Sequence, residues 1–324
     1  MTRLSVLSVL SVLSVLLLES VVTSAAARAD DAPAKISVST VDDDPGAPGE
    51  NDAPEPAPVP VAPAHSKARL SMPTPRAVHH ERIKDDGDGK LDKAEDTVAG
   101  GKHWRIKTSQ GAVHVWIPSG YDRATAGTVV YVHGYWTDAD GAWKEHELGK
   151  QFRASHQNAM FIVPDAPASN DDSVNWPALT DLRKAVARAN LHLPDGPVIV
   201  MGHSGAFRTI MQWVDHRLVD QIILLDAMYA GESAFDEYIA SGKHADEHKL
   251  IVVAASTAEE SAAFAKKYKF AVARERMPDS AGGFSKKERT AKLLYVRSQY
   301  EHMQIVTGGK VIPTLLHLTP LKAL

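Results

Sequence analysis

PVIVMGHSGAFR, residues 197–208, sets the architecture of this chain. Residues 197–201 form a short apolar, β-branched run, the pattern of a buried strand. Gly202-His203-Ser204-Gly205-Ala206 follows without a spacer, and a helical pattern then runs through Ala206, Ile210, Met211, Trp213 and Val214. A strand that turns this abruptly into a helix crowds the positions two before and two after the serine, so both must be small. Gly202 and Ala206 meet that demand. The serine hydroxyl is then exposed at the top of a sheet, over a helix N-terminus whose amides and dipole favour developing negative charge. Gly231-Glu232-Ser233 is no rival: no strand leads into it, and Phe235 stands where a small residue is needed.

Outward from this turn, strands and helices alternate. Residues 103–108 and 112–118 alternate apolar and polar side chains about Gln110-Gly111, which predicts a hairpin. A buried run at 128–132 ends in His133-Gly134. A helix is predicted at 143–152, a strand at 159–163, and a helix at 176–189 with Leu182, Ala185 and Val186 on its apolar face. Beyond the serine turn come a strand at 221–225 ending in Asp226, a short excursion at 232–248 and a strand at 250–255. A helix capped by Thr257 with Glu260 follows, then a strand at 293–296 and a terminal helix. Near-continuous apolar strands alternating with helices predict an α/β fold, with a mostly parallel central sheet covered by helices on both faces.

The N-terminal part is of another kind. Arg3, an apolar core at 4–18 and Ala27-Arg28-Ala29 before Asp30 predict a signal peptide over 1–29 and a secreted or periplasmic protein. That core falls short of the ~20 residues that span a bilayer, so no integral membrane segment is expected after cleavage. Residues 30–75, rich in Pro, Ala and Asp and free of aromatics, predict a disordered acidic linker. The chain has no cysteine, which excludes thiolate nucleophiles and thiolate metal sites. Its net charge of −4 offers no basic surplus for nucleic acid, and its 15 histidines are scattered along the sequence.

Residues 76–100 carry a calcium-loop pattern before a domain that spans 101–324. With Gly89 at the sixth position, Asp86, Asp88, Lys90 (through its carbonyl), Asp92 and Glu95 fall on positions three, five, seven, nine and twelve. Lys84 occupies position one, where a carboxylate belongs. Two readings stand: a weakened Ca2+ site, or a relic loop without metal.

A serine hydroxyl is a weak nucleophile near neutral pH and needs a base within hydrogen-bond reach. His302, shortly past the strand at 293–296, is the candidate base; His317, among Leu315, Leu316 and Leu318, reads as packing. Asp226, at a strand end, is the candidate acid to orient that base. The alternative is Glu259, which falls in the first turn of the next helix. The backbone amides of Gly205 and Tyr135 are the candidate oxyanion donors, with Gly134 allowing close approach. Tyr135, Trp136, Asn175, Trp176 and Tyr229 either rim the mouth of such a site or pack at strand ends.

GHSGA at 202–206, His133-Gly134 after the third strand and the late His302 resemble the α/β-hydrolase superfamily, as a secreted bacterial serine hydrolase of esterase or lipase type. The resemblance covers about residues 102–324. It implies a nucleophile elbow at Ser204, acyl transfer to water through an acyl-enzyme, and no required cofactor. Most members carry the acid after the strand that follows Asp226, and a minority carry it where Asp226 stands; Ala206 replaces the usual glycine. The expected substrate is a carboxylic ester, plausibly on an extracellular or cell-wall polymer. The competing readings are an amidase or peptidase with the same triad and a non-catalytic binding module.

Overall fold

A computed structural model describes residues 92–245 and 247–324. The predicted signal peptide, the linker, and Asp86, Asp88 and Lys90 of the calcium pattern lie outside the described residues. Ten strands form one sheet: β1 (Lys93–Val98), β2 (Gly101–Thr108), β3 (Gly111–Ile117), β4 (Gly127–Val132), β5 (Ala159–Pro164), β6 (Val198–His203), β7 (Val219–Leu225), β8 (Lys249–Ala254), β9 (Val272–Arg274) and β10 (Leu293–Arg297). The helices are α1 (Ala139–Glu145), α2 (Leu148–Ala154), α3 (Leu179–Arg188), α4 (Phe207–Met211), α5 (Glu232–Ser241), α6 (Ala258–Lys266), α7 (Lys286–Arg289), α8 (Gln304–Thr307) and α9 (Val311–Leu316).

The strands lie in the order β1-β2-β3-β5-β4-β6-β7-β8-β10-β9. The pairs from β1 to β5 are antiparallel, and the predicted hairpin is β2–β3. Every later pair is parallel. Because a strand sends alternate side chains to opposite faces, runs that are apolar at every position build two cores. Val130, Val200, Ile222, Leu224 and Val252 enter one, against Val186 of α3, Phe235 of α5 and Phe264 of α6. Tyr131, Met201, Ile223, Leu225 and Val253 enter the other, against Phe152 of α2, Ile305 of α8 and Leu315 of α9. No helix among the described residues is long and apolar enough to cross a membrane.

Several local expectations are corrected. The helix predicted at 143–152 is two helices, broken where Glu147 takes φ +47°. The break turns His146 inward, where its Nδ1 meets the Tyr131 hydroxyl at 2.9 Å. The helix predicted from 176 begins at Leu179, because Trp176 is buried and its carbonyl accepts the Trp213 indole N–H at 2.8 Å. Between α6 and β10 the sequence pattern predicts no element, yet β9 and α7 lie there; a three-residue strand is too short to show a period.

The sheet also begins earlier than the domain boundary at 101, with β1 inside the calcium-pattern segment. Glu95 pairs across the strands with Trp104 and accepts its indole N–H at 2.8 Å, while the Asp92 carbonyl accepts the Lys107 amide at 3.0 Å. Strand pairing, not an ion, engages the carboxylate assigned to position twelve, which corrects its reading as a calcium ligand. A polar chain fastens β1 further. Asp96 accepts from His103 Nδ1 at 2.5 Å, His103 and His114 share a bond of 2.9 Å, and His114 Nε2 meets Asp140 at 2.9 Å. Arg105 grips the same Asp140 through two bonds of 2.6 Å and holds its carboxyl below the usual range. Trp143 stacks on both imidazoles.

Candidate active site

β6 ends at His203, and a tight 3-10 turn, Ser204–Ala206, passes directly into α4. Ser204 has φ +54°, a left-handed conformation that few residues other than glycine adopt. The crowding inferred from the sequence is measurable. A Cβ on Gly202 would lie 2.4 Å from Ile210 Cδ1 and 2.8 Å from Ala206 Cβ. Ala206 itself keeps φ −57°, ordinary helical backbone, so its methyl replaces the usual glycine without strain.

β4 delivers His133 and Gly134 beside this turn. A Cβ on Gly134 would come within 2.7 Å of Ser204 Cβ, and one on Gly205 within 2.4 Å of the Tyr135 ring. His133 is fully buried; its Nδ1–H donates to the Gly134 carbonyl at 2.7 Å, and its Nε2 accepts the Ala166 amide at 2.9 Å. The Gly134 carbonyl and the Tyr135 amide belong to one trans peptide, whose C=O and N–H point in opposite directions. Holding the carbonyl therefore aims the Tyr135 amide away from His133, and that amide meets no acceptor among the described residues. Arg208 braces the flank, donating to the carbonyls of Ser169 at 3.0 Å and Asp172 at 2.8 Å.

Asp226 follows β7, fully buried and at φ +48°. Its Oδ1 accepts from the amides of Ala255 and Thr257 at 2.9 Å and from the Thr257 hydroxyl at 2.8 Å. Its Oδ2 accepts from the Ser256 amide at 2.9 Å and from His302 Nδ1–H at 2.6 Å. Burial alone would push this carboxyl up, but His302 and the three amides outweigh it and hold it well below the usual carboxylate range. Of the two acids weighed from the sequence, Asp226 is the one brought to His302; Glu259 is exposed on α6. The predicted capping role of Thr257 is corrected too, since its hydroxyl serves Asp226 and makes no cap bond to α6.

His302 lies in the turn before α8, with its side chain 29% exposed. Because Nδ1 carries the proton given to Asp226, Nε2 is left with its lone pair. The His203 ring lies 4.5 Å from that of His302, and His203 Nε2–H donates to the His302 carbonyl at 3.2 Å. His146 stands edge-on to His203 at 6.1 Å. Histidines far apart in sequence thus meet beside Ser204. The Ser204 hydroxyl is bonded to the Tyr229 phenol, and no hydrogen bond among the described residues joins it to His302 in this resting arrangement. His317 is exposed and bonded to Gln157 at 3.2 Å, which corrects its reading as core packing. Of the aromatic rim, Trp136 and Tyr229 are exposed, whereas Trp176 is core and Asn175 holds the β2–β3 turn through the Gln110 carbonyl at 2.9 Å.

Burial drives His203 down to about 3, helped by the neighbouring His302 and His146, and drives His146 down to about 4, helped by His133. Both are neutral in the native protein, whereas the unfolded chain protonates them near 6.5. The unfolded state therefore binds more protons as pH falls below 6.5, and native stability drops from there toward pH 4. Each histidine contributes up to about 1.4 kcal/mol per pH unit. Urea midpoints measured across this range should decline, and the decline should be shallower in His146→Gln, which keeps a partner for Tyr131.

A family model described as the alpha/beta hydrolase family matches residues 129–314. Similar solved structures include a feruloyl esterase module from Clostridium thermocellum, at 14% identity and a TM-score of 0.46, over 71% of this chain and 89% of that one. Another is an S-formylglutathione hydrolase from Agrobacterium tumefaciens, at 11% identity and a TM-score of 0.41, over 69% and 96%. A fluorophosphonate-binding serine hydrolase of Staphylococcus aureus is similar at 10% identity and a TM-score of 0.45, over 71% and 98%. No curated protein sequence matches the chain.

Proposed function

Because this chain belongs to the alpha/beta hydrolase family, we propose that it is a serine hydrolase that cleaves carboxylic esters through Ser204, His302 and Asp226. The observation that carries this reading is the 2.6 Å bond from His302 Nδ1–H to a buried Asp226, formed next to a serine held at φ +54°. A carboxylate saturated with donors stays ionised, keeps the imidazole in one tautomer and stabilises the imidazolium once it forms.

On this reading Ser204 Oγ attacks the ester carbonyl carbon and its proton passes to His302 Nε2. The negative charge that develops on the carbonyl oxygen is received by the Gly205 amide, at the start of the helical turn, and by the free Tyr135 amide. Collapse expels the alcohol oxygen, which takes the proton from Nε2 and leaves an acyl-Ser204. Water then attacks the acyl carbon, giving its proton to Nε2, and Oγ departs with that proton. An ester fits better than an amide here, because an alkoxide leaves with partial protonation whereas an amine needs full proton transfer from a histidine that is not yet bonded to the serine. The leader pattern at 1–29 supports action outside the cytoplasm, and the tether at 30–75 supports reach toward a polymer-borne ester.

The test is a fluorophosphonate probe on the purified protein, followed by mapping of the labelled peptide. Label on Ser204, prevented by prior heat unfolding, agrees with the proposal; folded protein that takes no label favours a binding module instead.

A further inference from the structure

We propose that Tyr229 is a further catalytic residue, whose hydroxyl donates to Ser204 Oγ and stabilises that oxygen as the leaving group when the acyl-enzyme is hydrolysed. The proposal rests on Ser204 being the nucleophile. Tyr229 stands three residues past Asp226, on the loop that joins β7 to α5. That loop is clamped at both ends. Asp226 is held by its five hydrogen bonds, and the side chains of Ala227 and Met228 are buried in the core that lies under α5 and α6. At the far end Gly231 takes φ +82°, and a Cβ there would sit 1.7 Å from Met211 Sδ, so the backbone presses directly on α4.

Between these clamps the Tyr229 ring projects over the serine. It is edge-on to His302 at 6.5 Å and tilted against Phe207 at 6.1 Å, and its hydroxyl bonds the Ser204 side chain. Burial and the nearby Asp226 charge push the phenol up to about 12, against the opposing effect of the Ser204 bond. The group therefore remains a protonated donor at any ordinary working pH.

Differential binding assigns the step. In the resting site the bond to Oγ is already made, and it weakens as Oγ spends electron density on the carbonyl carbon, so it lends little to acylation. In the acyl-enzyme, Oγ is an ester oxygen and a poor acceptor. As the second tetrahedral intermediate collapses, the C–Oγ bond breaks, its electron pair returns to Oγ, and the proton on His302 Nε2 passes to it. The Tyr229 donor bond strengthens through that step while the phenol keeps its own proton. The interaction is thus larger in the deacylation transition state than in the state before it, which is the condition for lowering that barrier.

Stopped-flow hydrolysis of p-nitrophenyl butyrate, paired with mass spectrometry of the Ser204 peptide, separates the two steps. Tyr229→Phe keeps the ring and removes only the hydroxyl. The expected result is a deacylation constant lowered about tenfold or more, an acylation constant changed by less than about threefold, and acyl-Ser204 accumulating at steady state. A wild-type adduct on Ser204 with both constants unchanged in Tyr229→Phe overturns the role of Tyr229 alone, as does an equal fall in both. Absence of any adduct on Ser204 in the wild type overturns the serine-hydrolase reading, and this one with it.

Discussion

Ser204→Ala is expected to lower kcat toward p-nitrophenyl esters by about 10⁴- to 10⁶-fold while leaving the protein folded. The substitution removes only the attacking oxygen. Alanine at φ +54° is about as strained as serine, so the thermal midpoint should stay close to that of the wild type. Residual turnover would come from the amides of Gly205 and Tyr135, which still polarise a carbonyl for attack by water. His302→Ala should fall by a similar factor, because an unassisted serine hydroxyl is a poor nucleophile. The double variant should fall no further, since the two groups act as one device. Steady-state kinetics on all three proteins checks this. A single variant that retains more than about a tenth of the activity would remove Ser204 or His302 from the mechanism.

Asp226→Asn is expected to cost about 10⁴-fold in kcat and, unlike the serine variant, to destabilise the fold. The carboxylate accepts five hydrogen bonds and donates none. An asparagine offers one acceptor oxygen and one NH2 group. If the oxygen takes the Oδ1 place, the NH2 confronts the Ser256 amide and His302 Nδ1–H, two donors. If it takes the Oδ2 place, the NH2 confronts Ala255, Thr257 and the Thr257 hydroxyl instead. Either way donors are left buried and unpaired, and about 2–4 kcal/mol of stability should be lost. In the first case the imidazole is also driven toward the tautomer with a protonated Nε2, which cannot accept the serine proton. Urea unfolding read alongside kcat separates the two effects. Glu259→Gln, on the exposed face of α6, should change neither quantity, and a loss of activity there would return the acid to the position common in the family.

Much of the architecture was legible because the apolar runs at β4, β6, β7 and β8 are long enough to display their period and sit between clear turn residues. The serine turn was legible for a steric reason: small residues two before and two after Ser204 have no other purpose in that pattern. β1 and β9 were not legible. β1 is largely exposed and polar, and its stability comes from partners distant in sequence, among them Trp104 and His103. Nor did Thr257 announce its partner. A threonine before a helix with glutamate three residues on reads as a cap, and only the arrival of Asp226 in the same turn redirects the hydroxyl.

The order of apolar and small residues was enough to establish a parallel sheet, a sharp serine turn at its top and a late histidine beyond its last central strand, because these depend on local sterics and on periodicity along the chain. Which carboxylate meets that histidine, which phenol reaches the serine, and how His133 and His203 come to brace the site were decided by neighbours brought together across the sheet. Those contacts join residues tens of positions apart, and a hydrogen bond closed over such a distance leaves no spacing in the sequence from which it could be read.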